Sequence, residues 1–328
     1  MTKKKRILSG MRPTGPLHLG NLHGALANWV EMQETYDCFF FIADWHALTS
    51  DYESTGRIAE YVRNMIVDWL SAGLTPEKST LFVQSHIKEH AELFLILSMI
   101  TPVPWLERNP TYKDQIAQLS NKDLSTFGFL GYPVLQAADI IMYKAYGVPV
   151  GVDQIPHVEI TREIARRFNH FYGDIFPEPK SILTDTPKIL GIDRRKMSKS
   201  YNNAIFLSDS PDEITAKVAK MLTDINRARR SDPGNPDVCN VFEFHKLYSD
   251  SQTIEKINRE CRSAEIGCVD CKQIMAQNLI KALEPLREKR EYYEARPALV
   301  DDIIADGCEK ARRVAHQTMA EVRGAIKI

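Results

Sequence analysis

The chain has 328 residues, 44% hydrophobic and 26% charged, which is the composition of an ordinary globular protein with room for about two domains. Its 42 basic and 43 acidic residues leave a net charge of −1, so no global field draws in an acidic partner, and any such partner must meet a local basic patch. The opening MTKKKRILSG has no long apolar stretch behind its basic run, and no apolar run reaches the ~18–20 residues of a membrane helix; a cytoplasmic protein without a membrane partner is expected.

In chain order, residues 6–9 form a short apolar run closed by Gly10, residues 19–36 read as a helix, and residues 38–43 (CFFFIA) read as a buried strand. Ile58, Tyr61, Val62, Met65, Ile66, Trp69 and Leu70 recur at helical spacing. Residues 81–83 and 148–150 read as strands, and residues 91–100 and 132–146 as apolar helices. This alternation predicts an α/β fold with a parallel sheet covered by helices. After residues 192–201 (IDRRKMSKSY) the strand signals fade. Ser210, Pro211 and Glu213 form a capping-box start, and the pattern stays helical to a last helix with Ala311, Val314, Ala315, Met319, Val322 and Ile326 on one side.

Pro13-Thr-Gly-Pro-Leu-His-Leu-Gly-Asn21 follows the first strand and opens the first helix. A helix start exposes free N–H groups and partial positive charge, which suits phosphate. Gly15 and Gly20 permit close backbone approach, and His18 and Asn21 share one face, where both can donate to charge developing on a phosphoryl group. An ordinary Gly/Pro turn with a capping Asn explains the same string. Lys196-Met-Ser-Lys-Ser200 offers two lysines that can close over a polyphosphate; alone, it reads equally as solvated surface. Their joint occurrence, one after the first strand and one where the sheet region ends, points to a phosphate site. Asp139 lies in an apolar helix, where a carboxylate must find a donor. An indole N–H, a donor without acceptor capacity, suits it; a local backbone group or base would serve as well.

The pair of signatures, His18-x-Gly20-Asn21 and Lys196-Met-Ser-Lys-Ser200, resembles those of class I aminoacyl-tRNA synthetases. The resemblance implies a Rossmann-type parallel-sheet catalytic domain (residues 1–192), a helical tRNA-binding domain (193–295), and a C-terminal helix (296–328) packing back towards the first. It also implies ATP, with Mg2+, as the substrate that activates an amino acid. The block Gly131-Tyr-Pro-Val-Leu-Gln-Ala-Ala-Asp-Ile-Ile-Met-Tyr143, followed by Val148-Pro-Val-Gly-Val-Asp-Gln154, resembles tryptophanyl-tRNA synthetases, with similarity from Ser9 to Ala325.

On that resemblance Asp139 receives the indole N–H. Tyr132, Gln154 and Gln136 hold the ammonium end, His46 borders the indole, and Val148 and Val150 line the pocket. His18, Asn21, Lys113, Lys196 and Lys199 are the catalytic set. The ATP site comprises Arg12, Pro13, Thr14, Gly20, Asn21, Gly151, Val152, Asp153, Ile189, Leu190, Lys196, Met197, Ser198, Lys199 and Ser200. L-tryptophan and its tRNA are the implied partners, and a homodimer the implied assembly.

Cys239, Cys261, Cys268 and Cys271 are four soft ligands close together along a chain without an export signal, which suits a metal site better than disulfides. Four unrelated buried thiols are the alternative. The setting resembles the minority of tryptophanyl-tRNA synthetases that carry a [4Fe–4S] cluster; Zn2+ fits four thiolates as well. Residues 227–230 and 281–290 are basic runs, candidates for contact with tRNA phosphates. Three other readings share some of these features: a tyrosine-specific synthetase, a small-molecule nucleotidyltransferase, and a synthetase-like RNA-binding or regulatory protein. The Ala-Ala-Asp-Ile-Ile-Met-Tyr block, the long helical segment after Lys199 and the presence of every signature residue argue against them in turn.

Overall fold

The computed structural model describes residues 4–109, 112, 124–184 and 189–328. Of these, residues within 1–15, 28–186 and 296–328 form one compact unit, and residues within 16–27 and 187–295 form a second.

The first unit is built on a five-stranded parallel sheet of order β3-β2-β1-β4-β5. The strands are β1 (Arg6–Met11), β2 (Asp37–Ile42), β3 (Ser79–Val83), β4 (Gly147–Val150) and β5 (Lys180–Leu183). Strands buried on both faces read as unbroken apolar runs. Accordingly, Cys38 to Ile42 are all buried, in register with Ile7 to Met11 on one side and Ser79 to Val83 on the other. The edge strand β5 begins with an exposed lysine and is nowhere fully buried; it has no apolar run and left no signal in the sequence.

Helices α1 (Leu19–Asn21) and α2 (Ala27–Met32) are joined by a π-helical turn (Leu22–Leu26), where the sequence suggested one uninterrupted helix. Next come α3 (Asp44–Asp51), α4 (Ile58–Ala72), α5 (Glu89–Ser98), α6 (Val103–Glu107), α7 (Phe127–Met142) and α8 (Ile155–Tyr172). Helix α4 stops at Gly73, whose φ of 114° closes the helix in the left-handed region that glycine alone enters without cost. The apolar helix predicted over 132–146 ends at Met142, because Tyr146 joins the sheet: its N–H donates to Arg6 O, and its carbonyl accepts from Lys180 N.

The chain then runs through α9 (Pro211–Ala219), α10 (Asn240–Tyr248), α11 (Ser251–Arg262), α12 (Cys268–Glu294) and α13 (Pro297–Ile326). Helix α13 belongs to the sheet unit. Ala311, Ala315, Met319 and Val322 enter its core, and Gly307 lies on β3 so closely that a Cβ would fall 1.7 Å from Leu81 O. In the second unit α9 starts as expected, with Ser210 Oγ accepting from Glu213 N and Glu213 Oε2 from Ser210 N. Ile214, Val218, Phe244, Ile257, Met275 and Leu279 are buried there.

Candidate active site

The second unit holds both signatures. Leu19 N donates to Ile205 O (3.1 Å) and Leu207 N to Leu17 O (2.9 Å), with His18 opposite Phe206. This short antiparallel seam ties the first signature to the segment that follows the lysine loop. At the helix start Asn21 Oδ1 accepts from His18 N (3.0 Å), so the asparagine is a cap as well as a candidate donor. The His18 ring is buried, with a Cβ at Gly20 due to meet it at 3.0 Å. Burial first, then the nearby Lys199 and Lys196 cations, bring its pKa down to about 4, so the ring is neutral at physiological pH. Its Nδ1 is buried without a hydrogen-bond partner among the described residues.

The lysine loop is a tight hairpin. Leu190 bridges Lys196, Gly191 N donates to Arg195 O (2.7 Å), and Met197 N donates to Ile189 O (3.1 Å). Asn203 braces it from beneath: its Oδ1 accepts from Ser198 N (2.8 Å), and its Nδ2 donates to Asp193 Oδ1 (2.7 Å) and Lys196 O (3.2 Å). Gly191 is required here, since a Cβ would stand 2.3 Å from Asn203 Cγ. Arg194 (φ 66°) and Asn202 (φ 50°) turn the chain through the left-handed region on either side. Met197 is buried and anchors the loop, while Lys196 and Ser200 remain exposed and Ser198 and Lys199 half-buried. Neither Asp193 nor Asn203 stood out in the sequence.

In the first unit, β1 and β4 are neighbours although the strands between them in sequence lie to one side. In such open sheets ligands bind beyond the carboxyl ends of the strands at this reversal. Arg12, Pro13 and Thr14 leave the end of β1, and Gly151, Val152 and Asp153 leave the end of β4. The Arg12 guanidinium is turned inward, donating to Ser50 Oγ and to Asp51 Oδ2 (3.4 Å). Burial lowers its pKa, and Asp51 opposes that. Val152 and Asp153 are exposed, and Gln154 donates to Asp153 Oδ2 at 3.1 Å.

Also in this unit, α7 carries Asp139 with no exposed surface. Its carboxylate accepts from His46 Nε2 on α3 (2.8 Å), His90 Nδ1 on α5 (2.6 Å) and Gln84 Nε2 just after β3 (2.8 and 2.9 Å). Burial alone would raise the carboxyl pKa; the histidine hydrogen bonds outweigh it, and the net shift is downward. Val148 and Val150 are buried on β4, Tyr132 is buried and Gln136 half-buried on α7. Tyr132 Oη lies 3.3 Å from His157 Nε2, and His157 Nδ1 lies 3.3 Å from Asn109 Nδ2. Gln84, His90 and His157 were missed by the sequence reading. Their one signal is a polar residue placed where the apolar pattern wants a core residue. Lys113 lies outside the described residues.

The four cysteines gather in the second unit. The Cys271 thiol is pushed up to about 12 by burial and then by Cys239, Cys261 and Cys268, so it feels all three. Arg227 Nη1 lies 3.9 Å from Cys261 Sγ and 3.8 Å from Cys268 Sγ, and His245 Nε2 3.5 Å from Cys271 Sγ. Among the described residues, however, no group of three or more His, Cys, Asp or Glu side chains is arranged to hold a metal ion. Within the basic run 227–230, a candidate for contact with tRNA phosphates, Arg227 is turned inward. Its Nη2 is committed to Arg230 O (2.7 Å) and Ile266 O (2.9 Å), whereas Arg229 and Arg230 stay exposed. Similarly Arg290 is buried against Glu294 (2.8 Å), while Lys281 and Lys289 are exposed.

The family model described as tRNA synthetases class I (W and Y) matches residues 1–284. Among curated relatives, the tryptophan–tRNA ligase of Thermotoga maritima is 53% identical over 98% of this chain and 99% of its own. That of Aquifex aeolicus is 46% identical over 98% of this chain and all of its own. The tryptophanyl-tRNA synthetase of Campylobacter jejuni, solved with ADP and tryptophan, superposes with a TM-score of 0.91 at 34% identity, over 98% of this chain and 100% of that one. With both signatures joined in one unit and the parallel sheet in the other, the chain belongs to the class I tRNA synthetases of the tryptophan and tyrosine family.

Proposed function

We infer that the chain is a tryptophan–tRNA ligase, and its full-length likeness to such ligases is the observation that carries the reading. A carboxylate oxygen of L-tryptophan attacks the α-phosphorus of ATP, taken up as its Mg2+ complex. The bond from that phosphorus to the bridging oxygen breaks, pyrophosphate leaves, and tryptophanyl-adenylate forms. A ribose hydroxyl of the terminal adenosine of tRNA then attacks the acyl carbon, and AMP departs.

Residue roles follow from the chemistry of each group. Asp139, an ionised acceptor sealed from water, takes the indole N–H; Val148 and Val150 supply the apolar walls and His46 the edge beside the carboxylate. Tyr132, Gln136 and Gln154 hold the ammonium end. Neutral His18 donates a ring N–H to phosphate oxygens without adding a charge that would have to be neutralised, and Asn21 donates its amide. Lys196 and Lys199 stabilise charge on the departing pyrophosphate, with Lys113 assigned to the phosphates on the sequence resemblance. Gly151 to Asp153, Arg12 to Thr14, Ile189 and Leu190 serve the nucleotide. Asp139→Ala should lower tryptophan-dependent pyrophosphate exchange by at least about 10-fold; near-normal exchange would sink the indole assignment.

We further propose that Cys239, Cys261, Cys268 and Cys271 hold a metal centre, a [4Fe–4S] cluster in preference to Zn2+. The support is the chemistry of the donor set and not its geometry: four thiols that act on one another's charge, with the Arg227 guanidinium near two of the sulfurs, although the side chains are not arranged as a metal-holding group among the described residues. The group would supply a structural cross-link within the helical unit. About four irons and four acid-labile sulfides per chain in anaerobically purified protein are expected; one zinc would retain the site, and no metal would end the proposal. The exposed Arg229, Arg230, Lys281 and Lys289 serve tRNA phosphates, so charging should weaken as salt rises. A homodimer suits the exposed Leu95, Met99, Val103 and Phe127 of the sheet unit, and a sedimentation mass of one chain would exclude it. No helix of the described residues is long and apolar enough to cross a membrane; a cytoplasmic enzyme of translation is proposed on the likeness to tryptophan–tRNA ligases alone.

A further inference from the structure

The partners of Asp139 form a buried hydrogen-bond array whose N–H groups face the carboxylate. Gln84 is fixed at both ends of its amide: Oε1 accepts from Trp45 N (3.1 Å), so Nε2 is the end that faces the carboxylate. An ionised carboxylate has no proton to give, so His90 Nδ1 must be the donor to Asp139 Oδ1. On its other side His90 Nε2 lies 2.8 Å from Tyr143 Oη, so the phenol holds the ring in place. The Tyr143 hydroxyl keeps its proton, its pKa pushed well above the usual range by burial and then by Asp139. Gln84 N–H and His90 N–H both point to Asp139. Gln84, His90 and Tyr143 have no exposed surface, so water cannot substitute for any of them.

Each carboxylate oxygen has two donors. Oδ1 accepts from His90 (2.6 Å) and from Gln84 (2.8 Å), and Oδ2 accepts from His46 (2.8 Å) and from the same Gln84 amide nitrogen (2.9 Å). The carboxylate takes a further N–H only where one of these yields, and the shared Gln84 amide is the one that can turn to a single oxygen.

We propose that Gln84, His90 and Tyr143 are positioning residues that set amino-acid specificity, by holding Asp139 as an acceptor for a ring N–H. The proposal rests on the assignment of Asp139 to the indole. Its physical content is that the carboxylate cannot choose its own state. With a donor removed, a carboxyl in this apolar surrounding takes a proton, and its O–H would then oppose the indole N–H instead of receiving it.

The test compares tryptophan with β-(benzothiophen-3-yl)alanine, which has sulfur in place of the ring N–H and nearly the same shape. Pyrophosphate exchange gives kcat/KM for each, and their ratio reads the acceptor. In the wild type, tryptophan should be favoured by about 10- to 100-fold, the cost of a buried acceptor left unpaired. His90→Leu should bring the ratio down at least about fivefold through loss on tryptophan, and His90→Asn, whose amide N–H falls near the Nδ1 position, should restore it. A residue that only fills space would lower both substrates together and leave the ratio alone. Should His90→Leu not fold, Gln84→Met removes the other donor and carries the same expectation. A wild-type ratio in whichever of these folds overturns the proposal, provided Asp139→Ala lowers the ratio. If Asp139→Ala also keeps the wild-type ratio, the indole assignment itself is wrong and the proposal falls with it.

Discussion

His18 shows how far one side chain is specified by its surroundings. The sequence places it at a helix start beside a phosphate-binding turn. The structure adds that its ring is buried, that Gly20 leaves room for it, and that two lysine cations stand nearby. Burial and the two cations disfavour a further positive charge, so the ring loses its proton far below the ordinary histidine range. The consequence is a sign that can be checked. Protonation of His18 belongs near pH 4, so kcat/KM for ATP, which reports the free enzyme, should show no break near pH 6.5 from this residue. His18→Ala should lower kcat by about 10²–10³-fold, the usual cost of losing a preorganised donor to a developing oxyanion, while tryptophan binding is retained. A break near pH 6.5 in the wild type that His18→Ala removes would show the ring titrating normally, and the electrostatic account of it would be wrong.

Among the elements, helix α13 is held by the absence of a side chain. Gly307 lets the helix backbone lie against the Leu81 carbonyl of β3, and an alanine Cβ there would stand 1.7 Å from that oxygen. No side chain can move to relieve the clash, so helix and strand must part. Gly307→Ala should destabilise the protein by at least about 3 kcal/mol in equilibrium urea unfolding, at or beyond the upper end of what an ordinary overpacked core position costs. An unchanged midpoint would mean that α13 does not pack on β3 in this way.

The elements also show what a sequence carries. Strands β2 to β4 were legible because parallel strands buried on both faces leave apolar runs, and β1 showed only the short stretch around its buried Ile7 and Leu8. Strand β5 was not, because an edge strand with an exposed start needs no such run. The π turn at Leu22–Leu26 was hidden because a change of hydrogen-bond partner within a helix barely alters apolar spacing. Both signatures were legible as motifs, since phosphate chemistry demands glycine, histidine and lysine at fixed spacing. What was not legible is the support beneath them: Asn203 bracing the lysine loop, and Gln84 and His90 closing on Asp139. These partners are distant in sequence and meet only through the fold, so no local pattern announces them.

For the whole molecule, the division of labour follows the two units. The sheet unit carries the buried carboxylate and the strand ends of a nucleotide-binding sheet, and the second unit carries both phosphate signatures and the cysteine group. An enzyme that joins tryptophan to AMP needs an acceptor for an indole and donors for a polyphosphate, and on the roles proposed above Asp139 is the first and His18, Lys196 and Lys199 are among the second. The most direct measurement is pyrophosphate exchange by the purified wild-type chain, with tryptophan and with tyrosine as the amino acid under identical conditions. We predict exchange that depends on tryptophan, with kcat/KM for tyrosine lower by at least about 10³-fold, because a phenol leaves the indole space unfilled and the buried acceptor poorly paired. Equal exchange with tyrosine, or no exchange with tryptophan, would contradict the account.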